Sequence, residues 1–141
     1  MIRRRSEHGS ITLWVLGLCM MMLFLGGISL DLWRAFSERR ALAGVVDAAA
    51  VAGSNGIDAD YFRRTSQLRL DRTLAEQLAT DNLAAQSDTR ALVSADVAAT
   101  TTQVTVRATG RVNFTLLSIF MAGEEPFTVS VEATADPRRS P

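Results

Sequence analysis

The hydrophobic pattern along the chain changes period twice, and each regime predicts a different element. From Ser10 to Leu30 the sequence "SITLWVLGLCMMMLFLGGISL" holds no charge in 21 positions. As a helix rising about 1.5 Å per residue it spans roughly 31 Å, close to the hydrocarbon thickness of about 30 Å, and it reads as one transmembrane helix. Trp14 and Trp33 stand near its two ends. They are roughly 28 Å apart at the same rise, where indoles favour the headgroup layers, and are read as interface anchors.

No proline or cap interrupts the chain between Leu30 and Ser54, and Arg, Ala, Glu and Leu dominate from Phe36 to Leu42. The transmembrane helix is therefore expected to continue outward as one rod to about Ser54, stopped by the "GSNG" of Gly53 to Gly56. Within it Gly44, Ala48 and Ala52 recur every fourth residue, and Ala41, Val45, Ala49 and Gly53 form the neighbouring row. Small side chains on adjacent rows let a second backbone come close. Ala41, Gly44, Val45, Ala48, Ala49 and Ala52 are the candidate packing surface.

Beyond the rod, Asp58 to Arg69 is polar and irregular and reads as a linker or a frayed helix start. Leu70, Leu74, Leu78 and Leu83, with Ala75 and Ala79 beside them, give a helical stripe from about Leu70 to Gln86. After Asp88 the period falls to two. Val93, Ala95 and Val97, then Val104 and Val106, then Phe127, Val129 and Val131 alternate with polar or small residues and predict three strands, the second extendable through Val112 to Phe114. "FTLLSIFMAG" from Phe114 to Gly123 is too short to span a bilayer and reads as a short core-closing helix or an exposed apolar patch. The fold class is α+β: a long N-terminal transmembrane helix leading into a small exported domain with one further helix and a three-stranded antiparallel sheet. The segments are 1–9, a basic cytoplasmic N-terminus; 10–30, the membrane span; 31–54, its continuation; 55–136, the exported domain; and 137–141, a tail.

Charge narrows the function classes. Fifteen basic and fifteen acidic residues cancel, and the one dense basic cluster is Arg3 to Arg5, so nucleic acid is not an expected partner. Three arginines flank the span on each side, so charge bias leaves its orientation open. Nine residues before the helix are too few for a functional domain, which places the working part after it. A cleaved secretory signal ending at Ala41 to Ala43 fits less well, because the apolar run exceeds the usual length of about 7 to 15 residues and charged residues separate it from that site.

The order of these parts resembles the TadE/TadG-like proteins of Flp (tight adherence) pilus systems. The resemblance rests on "HGSITLWVLGL", on the apolar span closing at "SLDLWRAFSERRALAGVVDAAAVAGS", and on Asp31, Arg39, Arg40, Leu42, Asp47, Ala48, Ala49, Ala50 and Ala52 within it. It extends to "TQVTVRATGRVNFTLLSIFMAGEEPFTVSVEATA", which is similar to the family's paired terminal strands around a short apolar insertion. The resemblance implies a membrane-anchored minor pilin or assembly subunit, with a junction at Gly9-Ser10 if the chain is processed by a prepilin-type peptidase. Trp14 stands where processed members carry a glutamate, so an uncut signal anchor is the expected form.

Chemistry is sparse. The only histidine, His8, precedes the span, Ser54 in "AGSNG" lacks the nucleophile-elbow spacing, and no Walker loop occurs. The lone Cys19 lies in the apolar run and has no disulfide partner in the chain. Glu124 and Glu125 could form a carboxylate pair but, as adjacent loop residues, read as solvated, and Asp71, Glu76 and Asp81 lack calcium-loop spacing. No catalytic residue, cofactor, metal or small-molecule substrate is expected. Asp31 and Asp47 are the candidate registration charges, either hydrated or pairing with a neighbouring helix. The expected partners are the lipid bilayer and, through the N-terminal helix, other Tad/Flp components or copies of the chain. The alternative is a single-pass envelope adaptor or sensor with a ligand-binding exported domain.

Overall fold

The computed structural model describes residues 8–86, 92–112 and 127–138 of the 141-residue chain. Its elements run α1 (His8–Ser54), α2 (Ala59–Thr65), α3 (Arg72–Ala85), β1 (Leu92–Ala99), β2 (Val104–Val112) and β3 (Phe127–Ala135). The expected α+β architecture is present, with α2 as an additional short helix. The apolar segment Phe114 to Gly123, the pair Glu124 and Glu125, and the continuation of β2 into Asn113 and Phe114 lie outside the described residues.

α1 is one unbroken helix of 47 residues, as the absence of any breaker predicts. It ends where Asn55 donates to the Ala52 carbonyl at 3.2 Å and Gly56 to the Gly53 carbonyl at 3.0 Å, a tightening of the last turn that satisfies carbonyls the helix leaves open. α2 starts at Asp58, whose carboxylate accepts from the Tyr61 amide at 2.9 Å, and stops at Ser66 in the left-handed conformation, φ 56°. α3 is capped by Asp71, which accepts from the amides of Thr73 at 3.0 Å and Leu74 at 3.3 Å. The single bridge Ile57–Leu70 ties the α2 hairpin closed.

The three strands form an antiparallel meander in chain order with β2 in the centre. Val104, Val106, Ala108, Gly110 and Val112 point to one face, opposite Ala135, Ala133, Val131, Val129 and Phe127 of β3. The register of β1 slips between Leu92 and Ser94, so Val93 is an extra residue in the pairing and is exposed, while Leu92, Val97 and Ala99 pack toward the core. The expected Val93–Ala95–Val97 face is therefore broken by a bulge. The other face of the sheet is polar. Its middle row is Asp96–Arg107–Glu132, and the Arg107 guanidinium meets the Glu132 carboxylate through Nε at 3.1 Å and Nη2 at 3.2 Å.

One layer of helices covers the apolar face: the second half of α1 over β2 and β3, and α3 beside it toward β1. The core is Leu42, Val45, Val46, Ala49 and Ala50 of α1, Leu70, Ala75, Ala79 and Leu83 around α3, and Val104, Val106, Ala108 and Ala133 of the sheet. The expected leucine stripe is buried in part: Leu70 and Leu83 are in the core together with Ala75 and Ala79, but the middle of the leucine row is not. Leu74 is 41 % exposed and Leu78 only partly covered, whereas Ala75 and Ala79 are fully buried. The reason is proximity. A Cβ placed on Gly53 would lie 2.9 Å from the Ala75 carbonyl oxygen and 3.2 Å from the Ala79 Cβ, and one on Gly56 would lie 2.8 Å from both the Ala75 N and Cα. Two chain segments that close admit only glycine facing alanine, and Leu74 and Leu78 are turned to the margin.

Candidate packing surface on the rod

Burial divides α1 lengthwise into two faces. At helical spacing the covered positions are Gly27, Asp31, Leu42, Val45, Val46, Ala49 and Gly53, with Ile28, Ala35 and Glu38 half-covered among them. The opposite face carries Trp33, Phe36, Arg40, Gly44, Asp47, Ala48 and Val51, all exposed. The two candidate rows of small residues therefore fall on different sides. Val45 and Ala49 are buried in the core that α1 shares with α3 and the sheet, Ala52 is intermediate, and Ala41, Gly44 and Ala48 are uncovered. A Cβ added to Gly44 would meet nothing within 4 Å.

The two aspartates part in the same way. Asp31 lies on the covered side and is 4 % exposed, while Asp47 stands on the open side between Gly44 and Val51. Trp14 and Trp33 are both exposed, the first beside a shallow apolar groove lined by Leu13, Trp14, Gly17, Leu18 and Met21. Gly9 and Ser10 lie in the first turn of the helix. Cys19 is exposed within the apolar run.

Several residues that matter to this arrangement carry little sequence signal. Val46 and Ala50 complete the inward face, and Gly56, read from the sequence only as a helix stop, sets the distance to α3 together with Gly53 of the small-residue row. Their spacing places Gly53 four positions beyond Ala49, which marks it as part of the same face. Gln86 fastens the end of α3 to the rod, its Nε2 donating to the Val45 carbonyl at 3.4 Å and to Asn82 Oδ1 at 2.8 Å.

Elsewhere the described surface offers little chemistry. A cleft of about 540 Å³ between α3 and β1 is lined by Glu76, Thr80, Leu83, Leu92, Asp96 and Val97 among others. Glu76 is already engaged there, accepting from the Ala99 amide at 3.2 Å. Among the described residues no group of three or more His, Cys, Asp or Glu side chains could hold a metal ion. Glu132, by hydrogen bond and charge, raises the pKa of the exposed Arg107, so this cation keeps its proton throughout the accessible range.

α1 is long and apolar enough to cross a membrane, and its most apolar stretch is almost wholly uncovered by the rest of the chain. No curated protein and no solved structure matches the chain. Residues 9–59 match a family model described as "Tad: Putative Flp pilus-assembly TadE/G-like". The matched residues are the rod with its lipid-length run, its two faces and the glycine turn that ends it, and over this segment the chain is similar to the TadE/G-like proteins of Flp pilus assembly.

Proposed function

We propose that the chain is a membrane-anchored structural subunit of a Tad/Flp-type pilus or secretion system, a minor pilin or assembly-platform component that works by helix packing rather than turnover. The N-terminus lies inside and the sheet-bearing part outside. The observation that carries this reading is the division of the rod: Val45, Ala49 and Gly53 of one small-residue row are buried in the chain's own core, whereas Gly44 and Ala48 of the other, with Ala41 beside them, stand uncovered with open space above Gly44. Close backbone approach at such a row lets dispersion contacts accumulate between two helices. Asp47 borders the row and sets the register of the incoming helix, and Asp31 does so from the covered side nearer the membrane.

The test is co-purification of a tagged chain with an untagged copy and with the pilus machinery from membranes. Gly44→Leu and Ala48→Leu should each reduce recovery of partners, while membrane insertion and the fold survive, because neither side chain is part of the core. Undiminished association in both variants would remove this surface from consideration. N-terminal sequencing of the membrane-bound protein decides between an intact Met1 and a start at Ser10.

A further inference from the structure

We propose that the segment of α1 between the membrane span and the sheet is an anionic-lipid collar, in which Arg39 and Arg40 hold phospholipid phosphates over an aromatic rim of Trp33 and Phe36. This rests on the membrane-anchored reading above. Leu30 closes the charge-free run and Leu42 is the first residue after it that the core buries, so the collar belongs to neither. In it Leu32, Trp33 and Phe36 are 47 %, 69 % and 66 % exposed. Apolar side chains of that size left open directly beyond the span continue the lipid-facing surface into the headgroup layer, where aromatic rings are favoured.

The arginines sit on the same columns. At helical spacing Arg39 and Arg40 stand one turn above Phe36, and Phe36 stands one turn above Leu32 and Trp33. Their Cα atoms are about 14 and 15 Å beyond Leu30, and the headgroup layer ends about 5–8 Å beyond the hydrocarbon. Two features close the gap. Side chains on a helix lean toward its N-terminus, which here is toward the bilayer, and a long arginine stem can lie along the rim with its head in the polar layer. A tilt of about 20° lowers one side of the rod further. Both arginines are exposed. All fifteen basic side chains of this chain are arginine, the cation whose planar fork matches a phosphate with two parallel hydrogen bonds. The occupant is therefore an anionic phospholipid, in whichever leaflet the helix leaves.

The experiment uses the full chain carrying Trp14→Phe, which makes Trp33 the only indole. It is reconstituted in phosphatidylcholine vesicles containing a fixed minor fraction of brominated phosphatidylglycerol or, in parallel, brominated phosphatidylcholine. Trp33 fluorescence should be quenched by both, with phosphatidylglycerol enriched about five-fold around it at low salt. Raised salt should shrink the enrichment, and Arg39→Gln with Arg40→Gln should return the ratio to near one. Equal quenching by the two lipids in the parent chain overturns the proposal and leaves membrane anchoring standing. A phosphatidylglycerol excess that survives in the double variant overturns the assignment to these arginines. Absence of quenching by either lipid overturns both the collar and the membrane placement of Trp33.

Discussion

Gly56→Ala adds one methyl group at the tightest point of the fold, and its effect can be worked from the distances around it. The new Cβ would lie 2.8 Å from the N and Cα of Ala75, and 3.1 Å from its Cβ. Carbon atoms pack best at about 3.5–4.0 Å, so the first turn of α3 must retreat by roughly an ångström. It is not free to do so. The Ala75 amide donates to the Asp71 carbonyl at 2.9 Å, and the Asp71 amide donates to the Gly56 carbonyl itself at 2.9 Å, so retreat stretches both bonds. Overpacking of this kind costs about 1–3 kcal/mol, offset by about 0.4–1 kcal/mol because alanine restricts the unfolded chain. The net expectation is a loss of about 1–2 kcal/mol, a 5- to 30-fold shift in the opening equilibrium. Hydrogen exchange of the detergent-solubilised chain, followed by mass spectrometry over α3, reads that shift as faster exchange between Arg72 and Ala85. Gly44→Ala on the open face of the same rod is the internal control. With nothing within 4 Å it should leave α3 protection unchanged and strengthen the helix by about 0.5–1 kcal/mol. Equal exchange in the parent and Gly56→Ala chains, or equal damage from the two substitutions, would refute the close-approach account.

Leu70→Ala empties a site that is 1 % exposed and should cost about 2–5 kcal/mol, seen as a lower urea midpoint for the sheet signal in circular dichroism. Asp71→Ala removes the α3 cap and should cost about 0.5–2 kcal/mol, with the largest loss of exchange protection at the Thr73 and Leu74 amides that it accepts from. For Arg107 the folded-state pKa is raised, so whatever it adds to stability is complete below its unfolded value and is lost only as pH climbs through the folded one, in strong alkali. Unfolding midpoints of the parent and Arg107→Gln chains should therefore differ by the same amount at neutral and at mildly alkaline pH, and a difference that fades between them would contradict the assignment.

The elements whose signal is local were legible in the sequence. The rod shows as a charge-free run with no breaker up to Gly53, and β2 and β3 show as clean alternation because their inner faces are covered along most of their length. What stayed hidden depends on a partner distant in the chain. The leucine stripe is buried at its ends, at Leu70 and Leu83, but its middle was decided by how near Gly53 and Gly56 let α3 come, where Ala75 and Ala79 fit and Leu74 and Leu78 do not. The bulge at Val93 shifts pairing without changing composition, so period two alone put the wrong residue inward. α2 is short and buries nothing, and its one local mark is the capping Asp58. The candidate surface was half legible for the same reason. Small residues at fourfold spacing announce close contact, yet nothing in the spacing tells whether the visitor is the chain's own core or another molecule. The coordinates assign Val45 and Ala49 to the first and leave Gly44 and Ala48 open.

The sheet closes in chain order, and its last strand packs on the helix that was made first. During synthesis the rod is complete long before β3 exists, and until then it lacks one of the elements, α3, β2 and β3, that pack on it. A nascent chain halted ahead of Phe127 would carry a finished membrane anchor with a sticky, half-built head, a natural client for a holding chaperone or a quality-control protease. Translation of β3 is thus the moment at which a tethered intermediate gains the sheet edge that packs on its own rod.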